Sequence, residues 1–225
     1  ELFGDKTLAR NLAQQLGVPV LPGTGLAATA DEVKAFFSSL GEDAQIVIKA
    51  AHGGGGRGVR IADRLEDIGD AYAGCRSEAL AAFGNGNLFA ERMIRPARHI
   101  EVQIIGDGSG SVSHVWEREC SLQRRWQKLV EVAPCPSLHP ELRKRLLDAA
   151  VRLARAVKYR SLGTFEFLLD AAAAGPDAPF FFMEVNPRLQ VEHTVTEEIT
   201  GLDLVKIQLR IAGGDSLESL GLVQE

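Results

Sequence analysis

The chain has 225 residues, 45% hydrophobic and 24% charged, with a formal net charge of -5 and a pI near 5.6. This suits a globular protein of one or two domains with a sizeable core; it excludes a chain-wide basic footprint for nucleic acid, so any anion site has to be local. No apolar run approaches the roughly 20 residues needed to cross a bilayer, and Cys75, Cys120 and Cys135 are spaced for neither zinc nor a disulfide framework, which suits reduced thiols in a cytosol or organelle matrix.

Leu8, Leu12 and Leu16 recur at a spacing of four, which predicts a helix from Asp5 to Leu16, ended by Gly17 ahead of a short strand, VPVL. Thr29 to Glu32 opens a second helix with Val33, Phe36, Phe37 and Leu40 on its apolar face. IVIKA (46–50) and VRIA (59–62) read as strands around a glycine run, and a helix follows from Leu65 through Leu80. NLFAERMI, HIEVQIIGD and SVSHVWERE are strand-like, joined by turn chemistry such as Gly106-Asp107-Gly108. Leu142, Leu146, Ala149, Leu153 and Val157 mark an amphipathic helix over 141–158. TFEFLLD and PFFFMEVN form a hairpin around an Ala/Gly/Pro loop, and Leu202 to Ile211 is a last helix. Strands and helices without strict alternation indicate an α+β fold. A division near Arg92 separates a small glycine-loop domain from a larger sheet. The final stretch, GGDSLESLGLVQE, and the leading Glu suggest a piece of a longer polypeptide.

Four stretches carry candidate chemistry. In AAHGGGGRG, consecutive glycines either expose backbone N–H groups as a phosphate nest or form a plain hairpin tip; the pattern is neither of the two commonest nucleotide loops. Lys49, four residues before the glycines, favours the nest, and Lys6 in FGDK is a second candidate cation or a solvated helix residue. ERECSLQRRWQK gathers Arg118, Arg124, Arg125 and Lys128, either a solvated basic turn or an oxyanion site. In TFEFL, Glu166 points away from the face of Phe165 and Phe167, while Glu184 and Asn186 share a face of the next strand. Such oxygen donors suit Mg²⁺ or Mn²⁺ carried by a nucleotide. MEVNPRLQVEH keeps Glu184, Asn186, Arg188, Gln190 and Glu192 at alternate positions, which reads as a polar ledge continuing the strand, with Pro187 able to bend it.

At FGDK, GVPVLPGT, IKAAHGGGGRG, EALAAFGNG, RHIEVQIIGD, ERECSLQRRWQK, GTFEFL and EVNPRLQVEHTVTEEITGLDLV the chain resembles, end to end, the biotin carboxylase domain of biotin-dependent carboxylases, an ATP-grasp fold. The wording is similar to the domain in pyruvate carboxylases and single-chain acyl-CoA carboxylases. The resemblance implies a linker helix and strand (1–20), a lid subdomain with the glycine loop (21–92) and a central catalytic sheet (93–225), short of the family's N- and C-terminal portions. It further implies ATP-dependent carboxylation of carrier-bound biotin from bicarbonate through carboxyphosphate. By motif position, Lys6, Lys49 and Gly53, Gly54, Gly55 and Gly56 would hold ATP phosphates. Glu91, Arg92, Ile94, Leu168 and Met183 would meet adenine, and His99, Gln123 and Trp126 fall where the family contacts the nucleotide. Glu166, Glu184 and Asn186 would hold metal. Lys128, Arg188, Gln190, Val191 and Glu192 would hold bicarbonate, with Glu192 the general base and Arg188 also stabilising the biotin enolate.

Implied partners are carrier and carboxyltransferase domains and further copies of the chain, with neither nucleic acid nor membrane, in cytoplasm or mitochondrial matrix. Trp126 stands where the family usually has His, and Arg92 where it commonly has Lys. The alternatives are another ATP-grasp ligase, such as a carbamoyl phosphate synthetase-like subunit, or a silent ATP-binding module.

Overall fold

The computed structural model describes residues 2–51 and 58–224. The expectation for Gly53, Gly54, Gly55 and Gly56 therefore lies outside the described residues. Two antiparallel sheets organise the rest. The smaller has β1 (Ile46–Ala50) at its centre, flanked by β2 (Val59–Ala62) and β3 (Leu88–Arg92). The larger has the order β6-β5-β4-β7-β8, from β4 (Ala97–Asp107), β5 (Val112–Arg124), β6 (Gln127–Val132), β7 (Arg160–Asp170) and β8 (Phe180–Asn186).

Period-two alternation decides what each sheet buries. Ile46, Ile48, Leu88 and Ala90 of the small sheet pack against Val33 of α2 (Ala30–Ser39) and against Ile68, Cys75 and Ala79 of α3 (Ile68–Phe83). The second helix starts where the sequence placed it because Thr29 and Glu32 form a capping box, each satisfying the other's backbone N–H. In the large sheet, Ile100, Val102, Phe165, Phe167 and Phe182 turn to one face. There α4 (Pro140–Ala156) lays down Leu142, Leu146, Ala149 and Leu153. Helix α1 (Lys6–Gln15) is capped by Asp5, buries Ala9 and Ala13 in the same core, and sends Arg10 across to Glu91 at the end of β3.

Three expectations change. VPVL is not a strand; with Pro19 within it and Pro22 directly after it, both lacking N–H donors, it leaves a single parallel bridge from Val20 to Phe182. The polar ledge does not continue as a strand either. β8 stops at Asn186, Pro187 has no donor for a ladder, and Arg188 N–H turns back onto Asn186 O at 2.8 Å. Finally, an unanticipated helix, α5 (His193–Thr200), follows, closed by left-handed Gly201 before α6 (Leu204–Ala212).

Where β4 meets the chain after α4, the backbone approaches so closely that a Cβ on Gly106 would sit 2.1 Å from Tyr159 O. Gly106→Ala is therefore expected to cost about 1–3 kcal/mol in urea denaturation. Gly69→Ala, which meets nothing within 4 Å on α3, should be neutral or stabilising by up to about 1 kcal/mol.

Candidate active site

The antiparallel pairings place one transverse row of charge across four strands. Arg118 of β5 stands opposite Glu101 of β4, Glu101 opposite Glu166 of β7, and Glu166 opposite Glu184 of β8. In the neighbouring row Gln103 faces Thr164 and Thr164 faces Asn186. These residues occupy the face opposite the phenylalanine core, as the Phe165-Glu166-Phe167 alternation requires. Carboxylates abreast on adjacent strands repel, and Glu101 and Glu166 are buried, so cations have to accompany them.

Lys128 supplies the shared cation. Its ammonium donates to Glu101 Oε2, to Glu166 Oε1 at 3.1 Å and to Glu192 Oε1 at 2.8 Å. Burial pulls the Lys128 pKa down, but Glu166 and Glu101 outweigh it and hold it above the ordinary lysine value. The hairpin between β5 and β6 makes this possible by carrying Lys128 back beside Gln123. Burial pushes Glu166 up, yet His99 and Lys128 hold its carboxyl well below the usual range. His99 Nε2 lies 2.9 Å from Glu166 Oε2, off the line of its N–H, and Nδ1 meets the Gln123 amide at 2.8 Å. Glu192 behaves likewise: burial raises its pKa, and Lys128, its own backbone N–H and Arg118 together lower it. It stands at the N-terminus of α5, where the helix dipole favours a negative charge.

Around Glu166, Asn186 donates to Oε1 at 2.7 Å and Gln190 at 3.4 Å. Gln190 Oε1 is buried without a donor among the described residues. These hard oxygen donors fit a divalent cation, with Glu166, Asn186 and Glu184 as the residues that would hold it. Glu184 is paired with Lys6 at 2.8 Å. His99, Glu101 and Glu166 also bring ligand atoms within 4.8 Å of one another. Lys49 is paired with Glu91 at 2.7 Å, and Arg10 holds the other oxygen of that carboxylate.

The other anticipated residues take no part in the ion pairs of Lys128, Arg118 and His99 among the described residues. Arg188 is exposed and, among the described residues, its guanidinium reaches its neighbour Leu189 O, at 3.2 Å; Val191 is 88% exposed. Arg92 ends β3 exposed, and Ile94 lies half-buried between β3 and β4. Leu168 is opposite His99, and Met183 is the extra residue of the bulge between the Glu166–Glu184 and Phe167–Phe182 pairs. Trp126 is half-exposed in the β5–β6 turn, where both Arg125 and Trp126 have positive φ, 51° and 65°.

Of the cations in ERECSLQRRWQK, Arg118 does not belong to a solvated turn. Arg124 and Arg125 are exposed, but Arg118 is fully buried, because its place within β5 points it at Glu101 rather than solvent. Sequence reasoning missed Glu101 and Arg10. The alternation His99, Glu101, Gln103 in HIEVQIIGD was the available signal for Glu101; nothing local marks Arg10.

Residues 5–220 match the family described as carbamoyl-phosphate synthase L chain, ATP binding domain. The chain is 52% identical over 224 residues to pyruvate carboxylase 1 of Caenorhabditis elegans, covering 99% of this chain and 18% of that protein. Among solved structures it is similar to biotin carboxylase of Campylobacter jejuni, with TM-score 0.91, 43% identity, and coverage of 99% of this chain and 49% of that one. It is also similar to the biotin carboxylase domain of Hydrogenobacter thermophilus 2-oxoglutarate carboxylase, with TM-score 0.89, 43% identity, and coverage of 96% and 46%. The chain thus spans less than a fifth of the curated relatives it matches and about half of these solved chains. With the two antiparallel sheets and the row of charge across the larger one, the match means that the chain belongs to the carbamoyl-phosphate synthase L chain ATP-binding-domain family and has the ATP-grasp fold of biotin carboxylases.

Proposed function

We propose that the chain supplies the ATP- and bicarbonate-binding centre of a biotin-dependent carboxylase, in which ATP converts bicarbonate to carboxyphosphate and its CO2 carboxylates N1′ of carrier-bound biotin. The observation that carries this reading is the Lys128 ammonium shared among Glu101, Glu166 and Glu192. It offers a small oxyanion a desolvated positive charge directly beside a carboxylate able to take its proton. Glu192 is the general base, kept ionised by Lys128. A bicarbonate drawing on the same ammonium would loosen that hold, raising Glu192's basicity as the proton is transferred. Arg188, Gln190 and Val191 complete the bicarbonate side. Arg188, extending from the turn after β8 with no carboxylate partner among the described residues, is free to meet bicarbonate and the biotin enolate.

On the nucleotide side, Lys6 and Lys49 meet phosphates, together with the glycines 53–56. Glu91, Arg92, Ile94, Leu168 and Met183 line the base, and His99, Gln123 and Trp126 the rest of the nucleotide. A Mg²⁺ or Mn²⁺ ion on Glu166, Glu184 and Asn186 would neutralise phosphate charge. The Hydrogenobacter relative was solved with MgADP, ADP and bicarbonate, and as a dimer, which supports this ligand set and a homo-oligomer. The small sheet is the lid (21–92), led by the linker 1–20, and the large sheet the catalytic body (93–225). Carrier and carboxyltransferase domains are the partners, in cytoplasm or mitochondrial matrix. No helix among the described residues is long and apolar enough to cross a membrane.

The test is ADP formation from MgATP with bicarbonate and biotin, set against ammonia in place of biotin, in the complete native polypeptide containing this chain. Biotin-stimulated, bicarbonate-dependent turnover is expected; ammonia-dependent turnover instead would select the carbamoyl phosphate reading. Glu192→Gln should lower bicarbonate-dependent ADP formation by at least about 100-fold while leaving MgATP affinity within a few fold. A large loss of affinity would make Glu192 a nucleotide or metal contact. Trp126→His, at a left-handed position that His tolerates better than most residues, should leave folding intact and MgATP affinity equal or better. A tenfold weakening by calorimetry, about 1.4 kcal/mol, would instead make Trp126 a stacking contact.

A further inference from the structure

Arg118 has a set of bonds that the reading above leaves unused. Its guanidinium, fully buried, donates from Nε to Glu101 Oε1 at 2.5 Å and from Nη1 to Gln103 Oε1 and Thr196 Oγ1, each at 2.9 Å. Nη2 reaches Thr164 Oγ1 at 3.3 Å. One side chain on β5 therefore ties β4, β7 and α5 together. Thr196 lies four residues, one helical turn, after Glu192, so the two share a face of α5. Glu101 in turn splits its oxygens, one to Arg118 and one to Lys128, and Lys128 reaches Glu192 at 2.8 Å.

These contacts form a closed ring: Arg118 to Glu101, Glu101 to Lys128, Lys128 to Glu192, one turn of α5 to Thr196, and Thr196 back to Arg118. We propose that Arg118 and Thr196 are positioning residues that set the height and rotation of α5 so that Glu192 meets Lys128 and the acid substrate. Buried ion pairs are weak sources of stability but strong sources of geometry, and the ring gives this one a geometric task. The helix it holds is weak on its own account, being eight residues long with Thr194, Val195 and Thr196 in succession. Such β-branched residues lower helix propensity. Without the Thr196 hydroxyl, α5 loses the side-chain bond to Arg118 that fixes its register against the sheet.

The proposal rests on the assignment of Glu192 to bicarbonate, and its test separates the two. Thr196→Val preserves shape and removes the hydroxyl, avoiding the folding risk of truncating Arg118; Thr196→Ser restores the hydroxyl. In the complete native polypeptide, Thr196→Val is expected to lower kcat/KM for bicarbonate about tenfold, with KM for MgATP within twofold, and Thr196→Ser to recover most of the loss. Equal bicarbonate kinetics in wild type and Thr196→Val would overturn the positioning role. So would a parallel loss of MgATP binding and thermal stability that Thr196→Ser does not rescue, since that marks a purely structural hydroxyl. If the wild type itself shows no bicarbonate-dependent ADP formation, the functional assignment fails and the positioning role falls with it.

Discussion

Three carboxylates and a lysine ammonium share one poorly solvated space on the large sheet, and much of the architecture exists to keep that arrangement neutral enough to fold. Removing ions from water costs several kcal/mol each, and only close opposite charges with good hydrogen bonds offset it. Glu101 and Glu166 enter the site from adjacent central strands, Glu192 from the start of α5, and Lys128 from the returning strand of the β5–β6 hairpin. Arg118 takes the other oxygen of Glu101, and His99 lies beside the other oxygen of Glu166. Removing any one of these elements leaves a buried charge without its partner. Sheet, hairpin and helix are thus energetically interdependent through a few side chains.

The same alternation that creates the core creates the site. Along β7, Phe165 and Phe167 pack toward α4 while Glu166 between them turns the other way; along β4, Ile100 and Val102 do so around Glu101. A strand with both faces buried normally reads as continuously apolar. Here part of one buried face is ionic and is covered by a cation cluster and α5, while farther along the strands Ile105, Val115 and Leu162 take an apolar cover from Leu204, Ile207 and Ile211 of α6. Lys128, Lys6 and Lys49 are each held by a glutamate.

Much of this was legible in the chain. IVIKA and VRIA became strands over the residues expected, because both are short β-branched runs, and the TFEFL alternation assigned Glu166 to the polar face. Less local features were hidden. Nothing near Arg118 says that it meets Glu101, Thr164 and Thr196, residues 17, 46 and 78 positions away. The polar ledge read past Asn186 as a strand because polar residues happen to alternate through a turn that Pro187 forces. Helix α5 was missed because its β-branched run speaks against a helix locally, while a buried guanidinium and the left-handed Gly201 cap hold it in place.

Lys128 balances the buried carboxylates, and a double-mutant cycle in urea denaturation measures that coupling. Lys128→Met alone should cost about 3–5 kcal/mol, because it strands carboxylates in a buried site. Combining it with Glu192→Gln should recover at least about 1 kcal/mol relative to the sum of the single changes. A Lys128→Met cost below about 1 kcal/mol, with the two changes additive to within about 0.5 kcal/mol, would contradict the account and make the cluster a set of independent surface charges.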